Sequence, residues 1–233
     1  GVRLLTKGGV MDVVAKVTVD ATGDGDVAYG AGAEFDQGRG AGPSWEADHL
    51  CQPMTIMFRM SGVVHEESME ANRGRRAYRF PDGRTWNQVT EDAHAKGELP
   101  PTVGFIRTYT CQRDDQRVIN ATQVNGMDGI NAHDLTKAEL EGRRQVTPIV
   151  EFLRKHAPGF QNAYVSGMPA VIGVRETRRI FGVASLAIED LLAGKPSPRA
   201  VVRGAFFPID IHNPDGIGQA QGVSDAHPLG KDP

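Results

Sequence analysis

The chain has 233 residues, 39% of them hydrophobic and 24% charged, with a net charge of −3. That length supports one large domain or two small ones with a buried core, and 28 glycines and 14 prolines point to a turn-rich, mixed α/β chain. A slightly acidic chain without a basic stripe argues against nucleic acid or an anionic membrane as the partner, and no apolar run is long enough for a membrane span.

The two cysteines, Cys51 and Cys111, are far apart and outside any CxxC pair. Free thiols in a reducing, cytoplasmic setting are expected, with neither a disulfide framework nor a metal site. The sequence opens at Gly1 inside an apparent hairpin and stops without a closing element, which reads as a piece of a longer protein.

The first stretch, GVRLLTKGGVMDVVAKVTVDATG, predicts a β-hairpin turning at Gly8-Gly9, with a Val-rich second strand from Val10 to Val19. Residues 36–53 read as a Gly/Pro-rich loop, followed by an apolar strand from Met54 to about Met60. From Glu66 to Pro101 the chain turns polar and carries Arg73, Arg75, Arg76, Arg79 and Arg84. This predicts an inserted lobe or lid whose charges form a solvated face or an anion site.

FIRTYTCQRDDQRVINATQVNG predicts two strands turning at Asp114-Asp115. A helix follows, with Thr136 and Glu139 as a capping box and Asp134 serving the turn before it. Val146, Ile149, Val150 and Leu153 fall on one face, Glu151 and Lys155 pair outside, and Pro158-Gly159 ends the helix. AVIGVRETRRIFGVASL is strand-like, IEDLLAGK is a short helix capped by Gly194, and AVVRGAFFPIDIHNPDG gives a last strand and turn.

One motif invites a specific reading. Gly23-Asp24-Gly25-Asp26-Val27-Ala28 fits G-x-G-x-x-A after an apolar strand. A loop that cradles pyrophosphate presents backbone N–H groups and a helix N-terminus, and Asp24 and Asp26 would instead repel the phosphates. A calcium loop needs a D-x-D-x-D-G spacing that is absent. On spacing alone, a strand exit whose aspartates cap a turn is favoured.

Longer strings carry more. VTVDATGDGDVAYGAGAEF resembles the end of the FAD-binding domain in a family of bacterial FAD-dependent oxidoreductases of the two-dinucleotide-binding-domain type. The resemblance continues through QPMTIMFRMSGV, INATQVNGMDGINAHDLTKAELEGRRQ, IGVRETRRIFG and FFPIDIHNPDG, in order along most of the chain. It implies an α/β fold, α+β in the substrate lobe: the end of an FAD-binding domain over 1–35, a strand-rich substrate domain over 36–221, and a linker over 222–233 returning toward the FAD domain. It implies FAD as cofactor, with Asp20, Ala21, Thr22, Gly23 and Asp24 near its adenosine or pyrophosphate side, and Gly23 allowing close backbone approach. The family's own G-x-G-x-x-G and a second glycine-rich FAD segment are not in this sequence, as in a central fragment.

The implied activity is hydride transfer between an organic small molecule and the flavin, with the chain compatible with a homo-oligomer. Arg175 and His212 are the candidate catalytic residues. Arg175, in VRETRR, would stabilise negative charge on a reduced flavin or clamp a substrate carboxylate, and if that stretch is extended Arg179 shares its face while Arg178 takes the other. An ion pair with Glu176 or Glu189 is the alternative. His212 would act as acid or base oriented by Asp210, or be satisfied by a backbone carbonyl. Asp-x-His is too small for a metal site, and no HExxH completes one. Two rival functions remain: a carbohydrate-active lyase or hydrolase using paired carboxylates without a redox cofactor, and a non-catalytic piece that no longer binds FAD.

Overall fold

The computed structural model describes residues 1–39, 48–73, 78–187, 189–190, 193–196, 198, 200, 202, 204 and 210–218. In chain order the elements are β1 (Val2–Thr6), β2 (Gly9–Val13), α1 (Asp26–Gly30), β3 (Phe35–Gln37), β4 (Met57–Ser61) and α2 (His65–Arg73), then α3 (Trp86–Ala95), β5 (Arg107–Thr110), β6 (Gln116–Asn120), α4 (Ala132–His156), β7 (Tyr164–Gly167) and β8 (Arg178–Ile180). The architecture is mixed α/β, with the strands in three sheets and every strand pair antiparallel.

The chain divides into two compact units. The first contains Gly1–His49 and the stretch from Glu176, the second Leu50–Arg175 and the described residues 210–218. The break falls after His49 and not after residue 35, because β3 pairs with β8 through Phe35↔Ile180, Asp36↔Arg179 and Gln37↔Arg178. Residues 222–233 lie outside the described residues.

The second unit is built on a four-stranded sheet in the order β5-β6-β4-β7. Phe58 and Met60 alternate inward along β4 while Met57 faces out, as a half-buried strand requires. The two strands predicted around Asp114-Asp115 are β5 and β6, in register from Arg107↔Asn120 to Thr110↔Arg117. Ile56, Phe58 and Ile119 share one core with Ile149, Phe152 and Leu153 of α4. The predicted apolar face of this helix, Val146, Ile149, Val150 and Leu153, is buried. Gly142 lets the helix approach closely, since a Cβ there would stand 2.7 Å from Ile56 Cγ1.

The start of α4 differs from expectation. Its N-cap is Asn131, whose side-chain oxygen accepts from the N–H groups of His133 and Asp134 at 2.9 and 3.3 Å. Thr136 and Glu139 are already inside the helix: Thr136 Oγ1 donates back to the Ala132 carbonyl, and Glu139 accepts from Arg143 and from Ile172 N–H. The reciprocal capping box belongs to α3, between Thr85 and Gln88.

The polar stretch 66–101 is not a lobe set apart from the core. Ala71, Trp86, Val89, Ala93 and Leu99 are buried in it, because apolar residues at helical spacing are diluted by a polar composition. Arg84 pairs with Asp82 and Asp92, and Arg79 donates to the Tyr78 carbonyl. Arg75, Arg76 and the Arg73 side chain lie outside the described residues.

One core position is an arginine. Arg117 faces inward on β6 and is 0% exposed. Its Nη1 donates to the carbonyls of Asp114 and Gln116, both at 2.7 Å, and Nη2 to Ser68 Oγ at 2.6 Å and His65 Nδ1 at 3.2 Å. Burial pushes its pKa down.

In the first unit the hairpin turns at Lys7-Gly8, with Thr6 opposite Gly9, and Gly9 alone of the glycine pair takes a positive φ (111°). The predicted strand to Val19 stops at Val13. Val14, Val17 and Val19 are 93%, 79% and 83% exposed, and no strand pairs with residues 14–19 among the described residues. The strand-like stretch from Ala170 reduces to a bridge at Gly173 and to β8. Glu189 and Asp190 are helical and Gly194 has φ 61°, while Ile188, Leu191, Leu192 and residues 205–209 lie outside the described residues.

Candidate functional site

Two places assemble chemistry-bearing side chains, one in each unit.

In the first unit the residues after Val19 form a tight turn organised by one carboxylate. Asp20 Oδ1 accepts from Thr22 N–H at 2.9 Å and Thr22 Oγ1–H at 2.8 Å, and Oδ2 accepts from Ala28 N–H at 2.8 Å. These bonds, led by the Thr22 amide, hold its pKa below the ordinary carboxylate value. Thr22 Oγ1 in turn accepts from Asp26 N–H at 2.9 Å. The N–H groups at the start of α1 are therefore satisfied from within the chain, where a phosphate loop would leave them for its ligand. G-x-G-x-x-A here is a self-capped turn.

Two glycines shape the surface of this turn. Gly23 has φ 86° and faces open space, whereas a Cβ on Gly25, with φ 67°, would press on Ile180 Cγ1 at 2.9 Å. The stretch RETRR meets the turn: Thr177 Oγ1 donates to Asp24 Oδ1 at 2.7 Å, and Arg178 Nη1 donates to the Asp24 carbonyl at 3.0 Å and Asp26 Oδ1 at 2.6 Å. The Arg178 guanidinium lies 4.5 Å from the Tyr29 ring centre and 5.6 Å from that of Phe35, which fixes it by cation–π contact. Its Nε–H is buried with no acceptor among the described residues. Asp20, Ala21, Gly23, Gly25, Arg178 and Ile180 line an open concavity of about 580 Å³.

In the second unit the cluster is Arg175, Arg107, Asp210 and His212. His212 is 9% exposed, its backbone N–H donates to Gln52 Oε1 at 3.0 Å, and its Nε2 lies 3.8 Å from Asp210 Oδ1. Burial first, then the charges of Arg175 and Arg107, push its pKa below the usual histidine value against the pull of Asp210, which favours the neutral imidazole. Arg175 is an exposed residue whose guanidinium is nonetheless partly desolvated, and its Nε donates to Thr55 Oγ1 at 3.4 Å. Desolvation of its guanidinium and the neighbouring Arg107 draw its pKa down, while Asp210 and Tyr109 raise it. Beside His212 is a cavity of about 20 Å³, lined among others by Thr55, Arg107, Thr122 and Gln123, with room for one water.

Arg175 and His212 thus stand in one electrostatic field, and Asp20 to Asp24 in one hydrogen-bonded turn. Arg179 pairs with Glu176 at 2.5 Å and Asp36 at 3.2 Å in the first unit, and β8 begins only at Arg178, so the three arginines are not alternating faces of one strand. The Glu176 ion pair exists, but with Arg179. Thr177, Arg178 and Arg107 were not singled out for these places by sequence. Only the proximity of Thr177 and Arg178 to Arg175 in RETRR hinted at them. Among the described residues no group of three or more His, Cys, Asp or Glu side chains could hold a metal ion, and no helix is long and apolar enough to cross a membrane.

A family model described as FAD dependent oxidoreductase matches residues 1–231. No curated protein and no solved structure matches the chain.

Proposed function

We propose, for a chain that belongs to the FAD dependent oxidoreductase family and whose cofactor is accordingly FAD, that it moves a hydride between an organic small molecule and the flavin. The residues of the first unit suit one part of that cofactor. Arg178, with its unpartnered buried Nε–H, and the open backbone at Gly23 offer a wall along the nucleotide. The self-capped α1 and the three carboxylates Asp20, Asp24 and Asp26 do not suit its pyrophosphate. Asp20, Ala21, Thr22, Gly23 and Asp24 would hold the nucleotide along that wall. When bound, the flavin supplies the two-electron chemistry.

The second unit supplies the proton chemistry. When a substrate C–H gives up its hydride, the attached O–H or N–H must lose a proton as the new double bond forms. His212, whose surroundings favour the neutral ring, takes that proton at Nδ1 while Nε2 faces Asp210, whose carboxylate offsets the imidazolium charge. Arg175, exposed and bonded only through Nε among the described residues, keeps its Nη groups for an anionic oxygen of the substrate. The observation that carries this reading is the convergence of Arg175, Asp210 and His212 in one cluster.

The test is the visible absorption of the purified protein with added FAD, then anaerobic bleaching of the bound flavin by a panel of small alcohols, amines and 2-hydroxy acids. A flavin spectrum is expected, with bleaching slowed about 100-fold or more by His212→Ala and substrate saturation weakened by Arg175→Ala. A protein that takes up no FAD overturns the reading, and unchanged bleaching in both variants removes these two residues from it.

A further inference from the structure

Residues 213–218 follow His212 and fold into a turn closed by Asn213 N–H donating to the Gly218 carbonyl at 2.8 Å. Among the described residues no strand pairs with 213–218; side-chain amides grip the turn. Gln123 Nε2 donates to the carbonyls of Gly216 at 2.6 Å and Asn213 at 3.3 Å, and Gln123 Oε1 accepts from Gly218 N–H at 3.2 Å. Asn125 Nδ2 reaches the carbonyls of Asn213, Pro214 and Gly216 at 3.2, 3.0 and 3.1 Å. These contacts decide the Asn125 amide orientation. Its Oδ1 is buried without a donor among the described residues. The flipped amide would satisfy neither side, because it would turn that oxygen onto three carbonyl oxygens.

The grip is backed from behind. Gln145 of α4 accepts from Gln123 N–H at 2.9 Å and donates to the Gln123 carbonyl at 3.1 Å, which fixes the segment after β6 that carries both amides. It is also steric: a Cβ on Gly104 would collide with Ile217 Cγ2. Gln123, Gly104 and Gly218 line the same small cavity as His212 and Arg107. The clamp and the imidazole therefore share one wall.

We infer that Gln123 and Asn125 are positioning residues for His212: their amides dock the 213–218 turn, and the docked turn keeps the imidazole buried beside Asp210, Arg175 and Arg107. This rests on the reading of His212 as the proton acceptor. Loosening the turn leaves the chemistry's residues in place but returns the imidazole to water.

Three perturbations reach the clamp from different directions. Asn125→Asp is isosteric and turns a donor into an oxygen facing three carbonyls; Asn125→Ser is milder; Gly104→Ala displaces Ile217. The direct readout is proton NMR titration of the His212 ring in the FAD-loaded protein, assigned with His212→Gln. The wild-type ring is expected to titrate below the ordinary value of about 6.5, and all three variants to move it upward, with the acid limb of the flavin-bleaching profile moving in step. A purely structural role for the clamp would lower thermal stability and leave the titration where it was. Hydrogen exchange of the wild-type protein gives a measure that needs no variant: the Asn213 and Gly218 amides should be protected like those of β6. Free exchange at both amides, or wild-type titration in well-folded variants, overturns the inference. If instead the ring titration moves but His212→Gln leaves bleaching unchanged, the clamp stands and the proton-acceptor reading falls.

Discussion

The two units treat the same kind of residue in opposite ways. In the second, Phe58, Ile119 and Ile149 are at most 1% exposed, sealed between the sheet and α4. In the first, Leu5 is 88% and Val14 93% exposed, although the Val-rich run from Val10 to Val19 has the composition of a strand. Periodicity specifies a strand only when partners complete its ladder and cover its faces. Residues 14–19 lack a pairing strand among the described residues, whereas β4 has β6 on one side and β7 on the other. What order the first unit has at the turn from Asp20 to Ala28 comes from polar bonds, namely Asp20 with Thr22 and Ala28, and Asp24 with Thr177.

This contrast can be broken by substitution. Leu153→Ala, in the sealed core, should cost about 2–5 kcal/mol in denaturant unfolding, while Val14→Ser should stay within about 0.5 kcal/mol. Comparable losses from the two would dissolve the distinction. Next in size, Gly142→Ala tests how tightly α4 sits on the sheet. Helix propensity alone favours alanine by about 1 kcal/mol, but contact with fully buried Ile56 should reverse the sign to a net loss of about 1–3 kcal/mol; a stabilised variant would mean that the packing is loose.

Smaller effects sharpen the polar side of the comparison. Thr177→Val keeps the shape of a residue only 4% exposed but removes the hydroxyl that donates to Asp24. It should cost about 1 kcal/mol and weaken FAD uptake followed by flavin fluorescence. Unaltered uptake would detach Thr177 from the nucleotide wall. The smallest effect at neutral pH is expected from Glu98→Gln. Lys155 and His156 of α4 hold Glu98 at a pKa of about 2, below its ordinary 4.5. A depressed carboxylate contributes stability above its unfolded-state pKa and loses it as pH falls through its folded value. The wild type should therefore lose stability between about pH 4.5 and 2 more steeply than Glu98→Gln. Parallel acid melting curves would remove Glu98 from the acid response.

Part of the site was legible before any fold. The aspartate-capped turn is there, organised by Asp20, although no strand leads into it because β2 ends at Val13, and the repulsion expected from Asp24 and Asp26 agrees with a helix start that caps itself. The Arg175 and His212 candidates came from separate strings, and nothing in either string could place them in one field. The capping box was misplaced because Thr136 opens a T-x-x-E and Thr85 a T-x-x-Q, and local pattern cannot tell a helix start from a position one turn inside. Arg117 was invisible for a related reason. An arginine in an alternating strand reads as solvent-facing, and only the carbonyls of Asp114 and Gln116 with Ser68 and His65 make its burial tolerable.

The sequence by itself determined the family, through long strings in register, along with the apolar face of α4 and the β5–β6 hairpin. All of these are set by residues close together in the chain, where spacing alone fixes which side chains share a face or a turn. The tertiary structure decided which arginine does what, where the units divide, and that Gln123 and Asn125 grip the turn behind His212. Each of those depends on contacts between distant segments. A side chain's charge, solvation and hydrogen bonding are set by whatever the fold brings beside it, and linear spacing carries no record of that.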